Sequence, residues 1–240
     1  PINLRHHLVL LAKSQKVLEN AFTLVSRGQK EGFYRFPRID LKMLKEHGED
    51  IIMSTACVAG PLASDIFSEF DVPWDQLKPN LIKSKSQLDS IVAKLENHVD
   101  KFVDCVGEEN FNIELQFNDL GAQHLANRVY IELAKKTGLP LVAAADSHYC
   151  RPELWKDREL YRKLGWLNNE KFDPSLLPQS VEDLKCELYP KNADQMWGAY
   201  KKHCAPYGFY DDEVICDAVE RTWHIAHDLI GNVQPDTSMK

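Results

Sequence analysis

Short apolar segments of strand length alternate with helical segments over the first 150 or so residues. The strand-like segments are 7–12, 50–57, 111–116 and 139–145, and apolar residues recur at helical spacing in 17–25, 84–106 and 123–136. Such alternation is typical of parallel strands joined by crossover helices. The sequence therefore predicts an α/β fold, either an open doubly wound sheet or a closed barrel.

The pattern changes beyond residue 150, where prolines and polar stretches separate helical segments and no strand is evident. The segment from Trp155 to Pro178 is predicted to be a helix followed by a loop. Residues 212–230 carry an apolar stripe at helical spacing, which predicts a final amphipathic helix. This second part is interpreted as a mainly helical extension.

Composition limits the class of protein. The 240 residues carry a formal net charge of −7, so any contact with nucleic acid must be local. Lys83, Lys85, Lys94 and Lys101 alternate with acidic residues and are interpreted as a solvated helix face. With no secretory signal, no membrane-length apolar run and scattered cysteines, we expect a cytoplasmic protein that contacts no membrane.

The strongest chemical signal is Asp146 and His148, which follow a buried strand. Residues two apart on extended backbone point the same way, and sites in parallel α/β folds lie at the carboxyl ends of strands. A carboxylate and an imidazole suit Zn²⁺, Mn²⁺ or Fe²⁺. Cys57, just past another strand, and His7, at the start of a third, complete a predicted metal-binding set.

Other interpretations of these residues remain open at the level of sequence. Cys57 could be a small buried hydrophobe, and His7 a histidine at a sheet edge. Glu114 and Gln116 alternate on the third strand, where they could support the metal ligands or, equally, where Glu114 could point into solvent.

Arg35 and Arg38 flank a Phe-Pro turn. Their planar guanidinium groups could bind a phosphate, and surface salt bridges are an equal alternative. Phosphate-binding glycine loops, the GxSxG elbow of serine hydrolases and the HExxH helix of zinc proteases are all missing from the sequence.

Several blocks follow in one order and spacing that resembles a known family. They are HLVLLAK (7–13), EGFYRFPRID (31–40), STACVAG (54–60), IELQ (113–116) and ADSHY (145–149). The family is the PHP (polymerase and histidinol phosphatase) domain of bacterial-type or phage DNA polymerase III alpha subunits. The resemblance covers about residues 6–153, and it continues more weakly through 188–196 and 220–226.

The resemblance implies a distorted, TIM-like (β/α)7 barrel that binds metal at the carboxyl ends of its strands. Residues 1–153 would form the C-terminal part of this barrel, and 154–240 a helical extension leading toward the polymerase palm. His7, Cys57, Asp146 and His148 match metal-ligand positions of the family, and Zn²⁺ or Mn²⁺, with Fe²⁺ as a third option, is the implied cofactor.

The family's opening His-x-His strand and its further His and Glu ligands should lie upstream of His7. Because the chain starts at Pro1, we expect either a fragment that lacks the first barrel strands or a shortened natural version, with a partial barrel. The implied partners are the remainder of the alpha subunit, DNA bound by the parent enzyme, and a proofreading exonuclease subunit.

The resemblance implies a role in DNA replication, with metal-dependent phosphoesterase or 3′–5′ exonuclease activity at the PHP site. A different class of function is a non-catalytic scaffold that stabilises the polymerase or recruits an exonuclease. A stand-alone PHP phosphatase is a further alternative. Polymerisation, with its Mg²⁺ ions, would belong to the parent enzyme only, since the paired aspartates of a palm are missing here.

Overall fold

The computed structural model describes residues 5–166, 178, 180 and 183–234. They form a mixed α/β structure with a four-stranded sheet. In chain order the main elements are β1 (Val9–Ala12), α1 (Gln15–Lys30), α2 (Leu41–His47), β2 (Ile51–Ser54), α3 (Pro61–Ser68), α4 (Lys85–Val106), β3 (Phe111–Gln116), α5 (Gly121–Thr137), β4 (Leu141–Ala144), α6 (Trp155–Trp166), α7 (Ala193–His203) and α8 (Asp212–His224).

The strands lie in the order β1-β2-β3-β4, and β2, β3 and β4 are parallel as predicted. The prediction is wrong for β1, which pairs antiparallel with β2, with Val9 opposite Ser54 and Ala12 opposite Ile51. The physical reason is that two helices, α1 and α2, connect the strands and return the chain to the end of the sheet that it left. An ion pair of 2.5 Å between Lys13 and Asp50 joins β1 to β2 there.

Strand β3 has apolar residues on one face and polar residues on the other, yet all six residues are buried. Phe111, Ile113 and Leu115 belong to the main hydrophobic core, to which α1, α4 and α5 contribute. The opposite face carries Asn112, Glu114 and Gln116. Because β3 is a central strand, alternation along it does not imply that one face is exposed to solvent.

The helix boundaries follow local capping signals. Helix α4 begins after Ser84, whose side-chain oxygen accepts a hydrogen bond of 3.1 Å from the Gln87 amide. Helix α5 ends at Gly138, whose φ of +77° is the left-handed conformation that glycine adopts readily.

The C-terminal helix α8 packs onto the same sheet, against β4. Ile225, after α8, forms a small cluster with Ile52 and Val142 on the polar side of the sheet. Arg221 Nε donates a 2.9 Å hydrogen bond to Asn112 Oδ1. The predicted helix at 212–230 is confirmed as α8, followed by a π-helical turn at Ile225–Leu229.

The structure does not confirm two of the predictions, the closed barrel and the loop that leads to Pro178. Across the described ranges the sheet is open, with β1 and β4 at its edges, so a closed (β/α)7 barrel is not confirmed. The predicted helix after Trp155 is present as α6, but most of the predicted loop leading to Pro178 lies outside the described residues. No helix in the part of the chain that the structure describes has the length and apolar character needed to cross a membrane.

Candidate metal centre at the carboxyl edge of the sheet

The carboxyl ends of β2, β3 and β4 meet at one edge of the sheet because the three strands are parallel. The antiparallel direction of β1 places its beginning at this same edge, with Val9 opposite Ser54. The His7 amide donates a 3.0 Å hydrogen bond to the Ala59 carbonyl, just past β2. A parallel β1 would have placed His7 at the opposite edge.

His7 and Cys57 are brought into contact, with 3.6 Å between the Cys57 Sγ and His7 Nδ1 atoms. A tight loop holds Cys57, since the Gly60 amide donates a 2.8 Å hydrogen bond to the Cys57 carbonyl. A Cβ atom on Gly60 would lie 2.1 Å from the Thr55 carbonyl oxygen, so the loop requires glycine there. The two residues therefore form an imidazole and thiol pair at a fixed place on the edge.

The electrostatic environment of Cys57 favours the thiol over the thiolate. Burial raises the pKa of Cys57, and the nearby negative charges of Asp146 and Glu114 raise it further, while a hydrogen bond with the Ala59 backbone acts in the opposite direction. Thiolate is the form that binds metal. A cation bound beside these groups would reverse the shift, because it would compensate the carboxylates and stabilise the thiolate.

Asp146 and His148 follow β4, but not on the extended backbone that their spacing suggested. Asp146 has a φ of +49°, in the left-handed region, so the premise of extended backbone is wrong at this residue. The His148 ring donates from Nδ1 to the Asp146 carbonyl oxygen over 2.6 Å. The His148 amide donates a 2.7 Å bond to the Leu188 carbonyl, which anchors the loop.

Glu114 is 4% exposed and Gln116 2% exposed, so the interpretation of Glu114 as a solvated residue is wrong. Gln116 Nε2 donates a 2.9 Å hydrogen bond to Glu114 Oε1, and the Ser54 hydroxyl donates to Oε2. Burial raises the pKa of Glu114, and the charge of Asp146 raises it further, whereas the two hydrogen bonds lower it by a smaller amount. Ser54 was missed at the level of sequence, although its position at the end of β2 was a usable signal.

The donor types at this edge fit a zinc or manganese site, since imidazole, thiolate and carboxylate are all suitable ligands. His7 and Cys57 are the predicted ligands that lie in contact. Within residues 5–166 and 183–234, no three His, Cys, Asp or Glu side chains converge closely enough to hold a metal ion. The full set of four ligands therefore stays a prediction.

Arg35 and Arg38 lie in the loop between α1 and α2, on opposite sides of Phe36-Pro37 in the sequence. Their guanidinium carbons are 5.9 and 5.8 Å from the centre of the Tyr34 ring. Arg38 also lines a cavity of about 680 Å³ that His7 reaches from the beginning of β1. Arg38 thus shares a cavity with one predicted metal ligand, and Arg35 lines a second pocket together with Arg38.

Comparison with known proteins defines the class. Residues 3–118 match the family described as the PHP domain. Residues 3–118 are therefore a PHP domain.

Comparison with individual proteins gives a more specific result. The chain is 35% identical over 199 residues to the DNA polymerase III subunit alpha of Aquifex aeolicus, which covers 82% of this chain and 15% of that protein. It is 34% identical over 147 residues to the protein of the same name from Thermus aquaticus, and this alignment covers 61% of this chain and 10% of that protein. It is 29% identical over 192 residues to the protein of the same name from Helicobacter pylori 26695, and this alignment covers 80% of this chain and 14% of that protein. The aligned region is thus a small part of each relative.

Proposed function

We propose that this chain is the PHP region of a DNA polymerase III alpha subunit and that it acts in DNA replication as a metal-dependent phosphoesterase. One observation carries the proposal of a metal site: the antiparallel β1 brings His7 to the carboxyl edge of the sheet, within 3.6 Å of Cys57. The names and identities of the relatives support the setting in replication.

In this proposal His7, Cys57, Asp146 and His148 hold Zn²⁺ or Mn²⁺, with Fe²⁺ as a third option. A metal bound there would supply a water of lowered pKa and would neutralise the charge of a phosphodiester, as hydrolysis or 3′–5′ exonuclease cleavage requires. Because His148 Nδ1 donates to the Asp146 carbonyl, its Nε2 atom is left to act as the ligand. Mg²⁺ would belong to the polymerase site elsewhere in the parent protein.

The residues around the ligands would position them and the substrate. Gln116 and Ser54 donate to Glu114 and so fix its carboxyl group at the edge of the sheet. Arg35 and Arg38 would bind a phosphate with paired N–H donors. The predicted barrel needs more strands than the open sheet offers, and we propose that the longer parent protein supplies them. Its remainder, DNA and an exonuclease subunit are the proposed partners, in the cytoplasm.

Metal content tests the proposal. The purified 240-residue chain, reconstituted with zinc or manganese and then desalted, is measured by plasma mass spectrometry beside Cys57→Ala and Asp146→Ala. Cys216→Ala and Asp71→Ala are matched controls, since both residues are exposed and lie outside the candidate site. About one metal per wild-type chain is expected, with loss in the first two variants and retention in the controls.

Retention of metal in Cys57→Ala and Asp146→Ala would contradict the assignment of these residues as ligands. A wild-type chain that retains no metal after reconstitution would favour the alternative of a non-catalytic scaffold. If metal is bound, hydrolysis of a 3′-labelled oligonucleotide then distinguishes an active site from a structural metal.

A further inference from the structure

The loop between α1 and α2 exposes aromatic rings next to arginines. Phe33, Tyr34 and Phe36 are 57, 47 and 53% exposed, although large aromatic side chains usually bury most of their surface. Together with Arg5, which precedes β1, this loop forms what we call the arginine–aromatic patch: Arg5, Phe33, Tyr34, Arg35, Phe36 and Arg38. Five of these six residues line a pocket of about 240 Å³.

The arginines of the patch are held against the rings. The guanidinium carbon of Arg5 lies 3.7 Å from the centre of the Phe36 ring, and Arg35 lies over Tyr34. A guanidinium group stacked on a ring keeps its N–H donors along its edge, where they can bind a phosphate. A 3.2 Å hydrogen bond from the Tyr34 amide to the Phe36 carbonyl closes the turn and presents Arg35 at its tip.

The charge of the patch differs from that of the chain as a whole. The net charge is −7, and Arg27 on neighbouring α1 is paired with Glu31 and Glu46. Arg5 and Arg35, by contrast, form no ion pair with a carboxylate in the part of the chain that the structure describes. A local positive patch on an acidic protein is complementary to an anionic ligand.

We infer that the arginine–aromatic patch binds single-stranded nucleic acid. Unpaired bases can stack on exposed rings, whereas the bases of a duplex are already stacked, and guanidinium groups contact the phosphates. The inference rests on the proposed function for the presence of DNA. It goes beyond that function by naming the surface that holds the strand, next to the cavity that contains His7 and Arg38.

The lysine-rich region at residues 83–101 lacks these features. On α4, Lys85 pairs with Asp89 at 3.5 Å and Lys94 with Glu69 at 2.6 Å. These lysines are solvated charges that are already compensated, as the sequence predicted. Lys83, at the beginning of this region and exposed, therefore serves as a control for the effect of charge alone.

Fluorescence anisotropy of a labelled oligothymidylate tests the inference with the intact 240-residue chain in excess EDTA, so that metal binding plays no part. The variants are Tyr34→Ala, matched by Tyr161→Ala on α6, and Arg35→Glu, matched by Lys83→Glu. Tyr161 is 78% exposed and lies outside the patch. Circular dichroism verifies that each variant is folded.

Affinity should fall about fivefold or more in Tyr34→Ala, from the loss of one stacked base, while both controls remain within about twofold of wild type. Arg35→Glu should also weaken binding and should lower the salt dependence by about one phosphate contact. Duplex DNA should bind more weakly than the single strand.

Equal losses in patch and control variants would overturn the inference, as would a wild-type chain that binds no oligothymidylate. Competition by polyglutamate as effective as that by unlabelled oligothymidylate would assign the patch to an acidic peptide instead. Because EDTA is present throughout, failure here is distinguishable from failure of the proposed metal site, which is measured by metal content.

Discussion

Acid should destabilise this protein through His124, a fully buried residue of α5. Its ring stacks on Tyr207 with 4.1 Å between centroids, and Nδ1 lies 2.8 Å from the Tyr210 hydroxyl. Nε2 has no hydrogen-bond partner among the described residues. Protonation would therefore place a charge in the protein interior, which is costly.

Burial lowers the pKa of His124 from 6.5 to about 4. The charge of Asp119 and a hydrogen bond with the Asn118 backbone raise it, and the charge of His203 lowers it further, but burial dominates. An unfolded chain binds a proton at His124 below about pH 6.5, and the folded chain does so only near pH 4. The stability that depends on neutral His124 is thus fully present above pH 6.5 and is lost as the pH falls from there toward pH 4. Preferential proton binding by the unfolded chain lowers the free energy of unfolding by about 2 kcal/mol at pH 5 and about 3 kcal/mol at pH 4.

Urea denaturation from pH 7.5 to 4 measures this loss. Glutamine does not titrate in this range. The free energy of unfolding of the wild type should therefore fall by about 2–3 kcal/mol more than that of His124→Gln as the pH falls. His227→Gln, at an exposed residue beyond α8, is the matched control and should run parallel to the wild type. Parallel curves for His124→Gln and wild type would refute the reasoning.

Two further predictions concern the edge of the sheet. Gly60→Ala should destabilise the fold by about 2 kcal/mol or more, because the new Cβ meets the Thr55 carbonyl, whereas Gly198→Ala on α7 meets nothing within 4 Å and should be neutral or stabilising in urea denaturation. Ser54→Ala should raise the pKa of Glu114 further, because a hydrogen bond to its carboxylate is lost; an unchanged Glu114 carboxyl titration by ¹³C NMR would contradict this.

Elements defined by local signals were predictable from the sequence. The bounds of β3 were predicted without error, and those of α4 and α5 to within about two residues, because the spacing of their apolar residues is a local signal. The direction of β1 was not predictable in this way. It depends on how α1 and α2 together return the chain, and no single residue encodes that path.

The candidate site shows the same division. His7 and Cys57 were predicted as members of one set, and they lie in contact. The burial of Glu114 was undecided, because alternation distinguishes the two faces of a strand but does not say whether a second layer covers the polar face. The left-handed backbone at Asp146 was not foreseen, since non-glycine residues seldom adopt it and the sequence does not mark the exception.

The antiparallel pairing of β1 also determines which changes of chain length this domain can tolerate. Ion pairing at Lys13 fixes one end of the strand to β2, and the hydrogen bond from His7 to Ala59 fixes the other. Inserting or deleting one residue between these two points would turn Leu10 away from the core and would shift the histidine by about 3.3 Å along the sheet. Length variation among homologues should therefore be excluded from residues 7–13.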